Sequence, residues 1–339
     1  YLGQERALRA DRLGTGGLLL SVLAATAPLM VVAGVMPTAF AVMGIVGQPL
    51  LFVVLGVVLV LFSVGYAEMS RHVHNAGAFY AYISRGLGGT AGAGAALVAL
   101  VAYNAMQFGL IGLLGGIAAG VFGELGLTLP WWGWSLLAII LVGILGYRQV
   151  DLSAKVLVVA VALEYLIVLI VDFAILSKGG DHGLALNVFD PAAMFSGSLT
   201  AAILFCLGSF IGFEATTIYA EEARDPEKTI PRATYLSVLM IGVFFVFTTW
   251  LMIVGIGADK LVPTIQGYVD PSALFFDLAG RYVGGPVPTI AGILLVSSLF
   301  AALSAFHNYI ARYSYVAGRE GLLPAAFGRT HDAHQSPHI

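Results

Sequence analysis

Four ionisable side chains stand inside segments that are otherwise apolar: Glu164, Asp172, Glu214 and His307. A charge in such a setting is costly, and it is kept where it handles a proton or cation or answers a charge on a ligand. Glu214 has a telling context. In "LFCLGSFIGFEATTIYA" (204–220), Gly208 and Gly212 bracket Ser209, and Glu214 follows. Two glycines weaken a helix there, and a helix that resumes after a break favours an anion at its start. A second interruption lies in "APLMVVAGVMP" (27–37), where interior Pro28 removes a helix hydrogen bond and Gly34 and Pro37 follow. Breaks of this kind free backbone N–H and carbonyl groups, and such groups survive in a membrane only where they line a cavity. They suit a small zwitterion or cation, so residues 28–34 (Pro28, Val31, Val32, Ala33, Gly34) and 208–212 are the expected ligand contacts.

The elements that must position these groups are membrane spans. Of 339 residues, 59% are hydrophobic and only 10% charged, against about a quarter charged in ordinary soluble domains. Mean hydropathy is +0.92. Apolar runs of roughly 20 residues predict eight spans at 16–40, 49–68, 93–122, 130–147, 156–177, 192–220, 235–257 and 287–310. Together they form one transmembrane domain over 1–339, with a polar segment 1–15 before it and a loop 311–339 after the last span. Pro49, Pro130 and Pro288 mark span starts, where the missing N–H costs nothing. With the N-terminus in the cytoplasm, thirteen of the sixteen Lys and Arg residues fall inside, and only Lys178, Lys260 and Arg281 fall outside. That bias orients the chain. The single cysteine, Cys206, excludes an internal disulfide and a cysteine-rich metal site. The net charge of −3 excludes nothing.

On this layout the breaks fall in spans one and six. Interrupted spans at matching places in two halves point to a transporter's substrate site. At about 1.5 Å per residue, Glu164 lies roughly 12 Å and Glu214 roughly 9 Å from the inner ends of their spans. His307 is five residues before inner Arg312, so three of the four ionisable groups gather in the inner half, as release of a proton or cation to the cytoplasm requires. Asp172 falls near an outer end and is expected to be solvated. In span three, Tyr103, Asn104 and Gln107 make a polar patch near mid-membrane, with Tyr103 and Gln107 on one face; ligand contact and interhelical hydrogen bonding both explain it. Gly112, Gly116 and Gly120 form a stripe for close helix packing. His72 and His74 make a poor metal site without further ligands.

Four stretches carry a family resemblance: "GFEATTIYAEEARDPEKTIPRATY" (212–235), "YAEMSRHVHNAGAFYAYISRGLG" (66–88), "DLSAK" (151–155) and "ARYSYVAGREGLLP" (311–324). In order and spacing they resemble the amino acid–polyamine–organocation (APC) permeases. The resemblance implies an all-α membrane fold, a five-plus-five inverted repeat with broken helices one and six, usually about twelve spans. A chain of eight spans then has an incomplete second repeat, and both of its ends look cut. The resemblance also implies an aromatic residue closing over the substrate, at Phe210, and an ion site between spans one and eight, where Ser297, Ser298 and Ser304 offer hydroxyls. Two departures stand out. The glycine-rich break that many members have in span one is replaced by "APLMVVAGVMP", and a lysine that many carry in span five is here Glu164. The charge sign is reversed, so a lysine-based coupling scheme does not carry over.

The expected function is secondary transport of an amino acid or related amine through the cell membrane by alternating access, with H+ (or Na+) as coupling ion or by exchange. Glu164, Glu214, His307, Ser297 and Ser298 are the expected coupling groups, and no cofactor, metal or nucleic acid is expected. An amino-acid-binding sensor is the alternative. A membrane-embedded enzyme using "EEARD" (221–225) ranks below both: no second acidic motif, HExxH or catalytic-serine motif accompanies it.

Overall fold

Proline placement and unbroken apolar runs build this chain from helices. A computed structural model describes residues 14–73, 78–148, 154–180, 183–219 and 223–329. The segment 1–13, His74, most of "DLSAK", residues 220–222 of the acidic loop and 330–339 lie outside them. The described residues form an all-α membrane transporter fold, with no β-strand among them. Six helices are long and apolar enough to span: Thr15–Met43, Gln48–His72, Gly89–Glu124, Val159–Lys178, Pro226–Ile256 and Val287–Arg319. The fourth expected span is Trp131–Arg148, and the sixth is split into Leu199–Gly208 and Ala215–Ile218.

Several boundaries differ from the expectation for physical reasons. The seventh helix starts at Pro226 rather than 235, because Asp225 in a left-handed conformation (φ 49°) turns the chain and its carbonyl accepts the N–H groups of Lys228 and Thr229. Pro231 sits inside this helix, where its missing bond falls to the carbonyl of solvent-exposed Glu227. The eighth helix runs on to Arg319. A short helix, Ala78–Leu87, precedes the third span. Two more, Ala258–Gln266 and Ala273–Tyr282, join the seventh to the eighth. The 36 residues of Gly89–Glu124 make about 54 Å of helix, well beyond a hydrocarbon core of about 30 Å.

The first and seventh spans are central, each with 67% of its most apolar window buried, against 17% for the third. The break in the first span is at Ala27, one residue before Pro28. Ala27 is left-handed (φ 43°, ψ 70°), since the residue before proline is driven out of the right-handed helical region. Pro28 then opens the next half-helix. Gly34 is part of a π-helical turn, Val31–Val35, rather than of the break.

The far end of the first span is clamped to the segment leading into the sixth. Gly47 N–H donates to Ala193 O (3.2 Å) and Ser198 N–H to Met43 O (2.9 Å). No side chain fits here: a Cβ on Gly197 would overlap the Met43 carbonyl oxygen, and one on Gly47 would lie 2.5 Å from the Ala193 carbonyl carbon. Gly197→Ala should therefore lower the thermal midpoint of the purified protein, by an overpacking cost of about 1–3 kcal/mol. Gly56→Ala, whose Cβ meets nothing within 4 Å, is the control that should not.

Candidate functional site

Gly212 is the point where the two broken spans meet. Its φ of +113° is open to glycine, and a Cβ there would lie 3.0 Å from Ala25 Cβ and 3.5 Å from Thr26 N. The unwound stretch 209–214 of the sixth span thus rests directly on the residues before the Ala27 break. Glu214 holds the unwound stretch in place. It is 5% exposed; its Oε2 accepts the Gly212 N–H (2.8 Å) and its Oε1 accepts the Tyr103 hydroxyl (2.9 Å). Tyr66 of the second span donates to the Glu214 carbonyl (2.9 Å) and is hydrogen-bonded to the Thr217 hydroxyl. One residue thereby ties together the second, third and sixth spans.

The same bonds account for the donors of the break. The Ser209 N–H goes to the Phe205 and Cys206 carbonyls, Phe210 to Leu207, Ile211 to Gly208 and Phe213 to Phe210. Gly212 donates to the Glu214 carboxylate. The carbonyls of Ser209 and Ile211 receive no backbone N–H among the described residues. Five of the six N–H groups from 209 to 214 are thus engaged, and two acceptors are left.

The second carboxylate serves the other break. Glu164 of the fifth span is 1% exposed. It accepts the Ser298 hydroxyl of the eighth span (2.6 Å) and lies near the backbone N–H of Leu29, one residue after Pro28. An anion at the start of a half-helix is favourably placed. Glu164 thereby joins the first, fifth and eighth spans.

On the side of the N-terminal half of the first span, aromatic rings fill the space beside Glu214. Tyr103 packs edge-on against Tyr313 (5.3 Å between centroids) and Phe306 (5.9 Å). Tyr80 of the short helix meets Tyr313 (5.7 Å), and the Tyr309 hydroxyl donates to Ser21 O (3.3 Å). On another side an open groove of about 300 Å³ reaches the break, lined by Leu59, Phe62, Phe79, Leu207, Ile211, Phe213 and Glu214, of which Phe62 and Leu207 are themselves exposed.

The remaining expected residues divide clearly. Val31, Val32 and Ala33 are buried in the core, and Gly208 ends a helix with open space around it. Ser209, Ser297, Ser304 and Asn104 donate to carbonyls of their own helices (Phe205, Leu294, Phe300 and Leu100). Gln107 Oε1 is buried with no hydrogen-bond partner among the described residues. Phe210 packs between Phe52 and Phe245 (6.1 and 6.0 Å), above Gly242. His307 lies against Gly146 of the fourth span, close enough that a Cβ there would be 2.5 Å from Nε2. The structure thus brings Glu214, Tyr103 and Gly212 together, and separately Glu164 and Ser298, while His307 faces elsewhere.

One expectation is corrected outright. Asp172 is not solvated: it is 1% exposed and accepts the Thr248 hydroxyl of the seventh span (2.7 Å). Sequence reasoning missed Tyr66 and Thr217 as supports of Glu214. Tyr66 opens one of the diagnostic stretches and Thr217 lies within another, which was the available signal.

Comparison with known proteins agrees with this architecture. A family model described as amino acid permease matches residues 17–339. The chain is 31% identical over 141 residues to the low-affinity putrescine importer PlaP of Escherichia coli K12, covering 41% of this chain and 29% of that protein. It is 25% identical over 147 residues to the branched-chain amino acid permease BcaP of Bacillus subtilis, covering 43% and 30%. Over 200 residues it is 27% identical to BcaP of Lactococcus lactis, covering 58% and 41%. The matched segments span less than half the length of each of these relatives. A model match over almost the whole chain, carried by a fold whose first and sixth spans break against each other, means that this chain belongs to the amino acid permease family.

Proposed function

We propose that the protein moves an amino acid or a related amine across the cell membrane by alternating access, with its N-terminus in the cytoplasm and with proton coupling or exchange. The observation that carries this reading is the meeting of two unwound spans at Gly212 and Ala25, with a buried carboxylate beside each break. Half-helices joined by a short unwound stretch can tilt about it, so the two sides of the site can open in turn. The relatives PlaP and BcaP bear names of putrescine and branched-chain amino acid carriers, which bracket the ligand classes.

Protons suit the site better than sodium. Ser297 and Ser304 point back to their own backbone, and Ser298 is engaged with a carboxylate. Glu164 is a group that gains or loses a proton, and in doing so it would strengthen or release its hold on Leu29 and Ser298, which belong to different helices.

The test is uptake into proteoliposomes of labelled amino acids and amines, with an imposed proton gradient and no sodium. Gradient-driven accumulation of one class is the expected result; accumulation only with sodium would refute the proton reading. Glu164→Gln keeps an acceptor for Ser298 but carries no proton. Its concentrative uptake should fall until the inside-to-outside ratio reaches unity, while counterflow from preloaded vesicles persists.

A further inference from the structure

We infer that Asp172 and Thr248 form a proton site in the outer half of the protein, and that this half closes only while the site holds its proton. The inference rests on the transport reading above, with its orientation, and adds a group that reading does not use. The fifth span carries one buried stripe that includes Val161, Glu164, Val168, Asp172 and Ile175. Glu164 and Asp172 are eight residues apart on it, about 12 Å along the helix, and Asp172 is the outer of the two. Its hydrogen bond among the described residues is to the Thr248 hydroxyl (2.7 Å), itself fully buried. No ion pair among the described residues includes it. The elements packed on the fifth span turn no charge toward it. The first span has no ionisable residue between Thr15 and Met43, the seventh none between Tyr235 and its end at Ile256, and the eighth none before His307. Outward of Asp172, the helix Ala273–Tyr282 covers the way. Ile175, Gly255 of the seventh span, Leu278 and Tyr282 meet there so closely that a Cβ on Gly255 would lie 2.7 Å from Leu278 Cδ2 and 3.4 Å from Ile175 Cδ1. The Tyr282 hydroxyl donates to Gly255 O (2.9 Å), and Lys178 Nζ donates to the Tyr282 carbonyl (2.8 Å). The charges of that helix, Asp277 and Arg281, pair with each other (3.3 Å).

An ionised carboxylate in such a place exchanges its hydration for one neutral hydroxyl, which does not offset the loss. With a proton bound the cost disappears, and the same contact serves, Thr248 donating to the carboxyl or accepting from it. A hard metal cation does not fit: it takes about six oxygen ligands, and the next hydroxyl along, Thr249, donates to the Phe245 carbonyl of its own helix. The proton is taken from outer water by a carboxylate oxygen, and no other bond changes. Once Asp172 loses it, the carboxylate has to be hydrated. Water reaches it only if the fifth and seventh spans part or the helix Ala273–Tyr282 moves, so binding of the proton is tied to closure of the outer side.

The test follows amide hydrogen exchange of the purified protein from acid to alkaline pH, comparing each peptide between variants at the same pH so that intrinsic exchange cancels. In the unaltered protein, the outer ends of the fifth and seventh spans and the helix Ala273–Tyr282 should pass through a transition to exchange at least about tenfold faster, equivalent to about 1.4 kcal/mol, as the pH rises. Asp172→Asn, neutral at every pH, should stay slow throughout. Thr248→Val removes only the partner and should move the transition along the pH axis; it carries the test if the asparagine variant does not fold. Counterflow of labelled leucine and of labelled putrescine into preloaded proteoliposomes is read over the same external pH range. It should weaken across the transition in the unaltered protein and stay level in Asp172→Asn. An unaltered protein with no exchange transition, or a transition that every folded variant leaves in place, would overturn the inference. Counterflow with the same pH profile in Asp172→Asn would also overturn it and leave the transport reading standing. If neither probe nor any of the wider panel moved, the transport reading would fall, and the exchange transition would still decide on Asp172.

Discussion

Glu214→Gln should lower ligand binding and uptake by at least about 30-fold while leaving a folded protein, and Glu214→Ala should lose both ligand and stability. The difference follows from the two hydrogen bonds. A glutamine can turn its Oε1 to the Gly212 N–H and its amide nitrogen to the Tyr103 hydroxyl, which then accepts, so each buried partner keeps one hydrogen bond to the side chain. What is lost is the charge. Removing one member of a buried, hydrogen-bonded charge pair costs about 2–5 kcal/mol, and about 2 kcal/mol is already some 30-fold. Alanine also strands two buried donors, at about 1–3 kcal/mol each, and releases the tie between the third and sixth spans. The readouts are ligand affinity and thermal midpoint on the same preparations. A glutamine variant with unchanged affinity would remove Glu214 from the site.

The second large effect separates two glycines that look alike in sequence. Gly212→Ala should abolish ligand binding and destabilise the protein, whereas Gly208→Ala should be neutral or stabilising. At Gly212 the φ of +113° costs an L-residue about 1–3 kcal/mol, and the new methyl would press on Ala25 and wedge the two breaks apart. Gly208 ends the helix Leu199–Gly208, and a Cβ added there would meet nothing within 4 Å. There alanine restricts the unfolded chain and gains about 0.5–1 kcal/mol. Thermal midpoints and ligand affinity of both variants decide the matter; equal effects would mean that the break does not rest on the conformation of Gly212.

How much of this was legible beforehand depended on whether a residue acts along its own chain or across to a neighbour. Composition and run length are local, so the spans were readable. Backbone interruptions are local too: Pro28, Gly208 and Gly212 announced the breaks. Side-chain partners across helices were not readable. A helix apolar on every side carries no stripe to show which face meets protein and which meets lipid. For that reason the packing of Phe210 between Phe52 and Phe245 was not readable. His307 faces Gly146 rather than the carboxylates for the same reason. Asp172 failed differently: nearness to a span end suggested water, but Thr248 of the adjacent seventh span covers it. Glu164 was recognisable as an acid in the wrong place, yet its reach to Leu29 and Ser298 depends on how three helices lie together.

Cys206 gives the molecule a built-in clock. It is the sole thiol in the sequence, it is buried, and it sits two residues ahead of Gly208 in the half-helix that must swing if the break flexes. A permeant thiol reagent in excess reacts with it only during excursions that uncover it. The rate of modification then tracks the occupancy of those excursions when reclosing is fast, and their frequency when reclosing is slow. Native protein, with no residue changed, can thus report how often its sixth span moves, and a bound ligand that holds the half-helix still would register as a slower reaction.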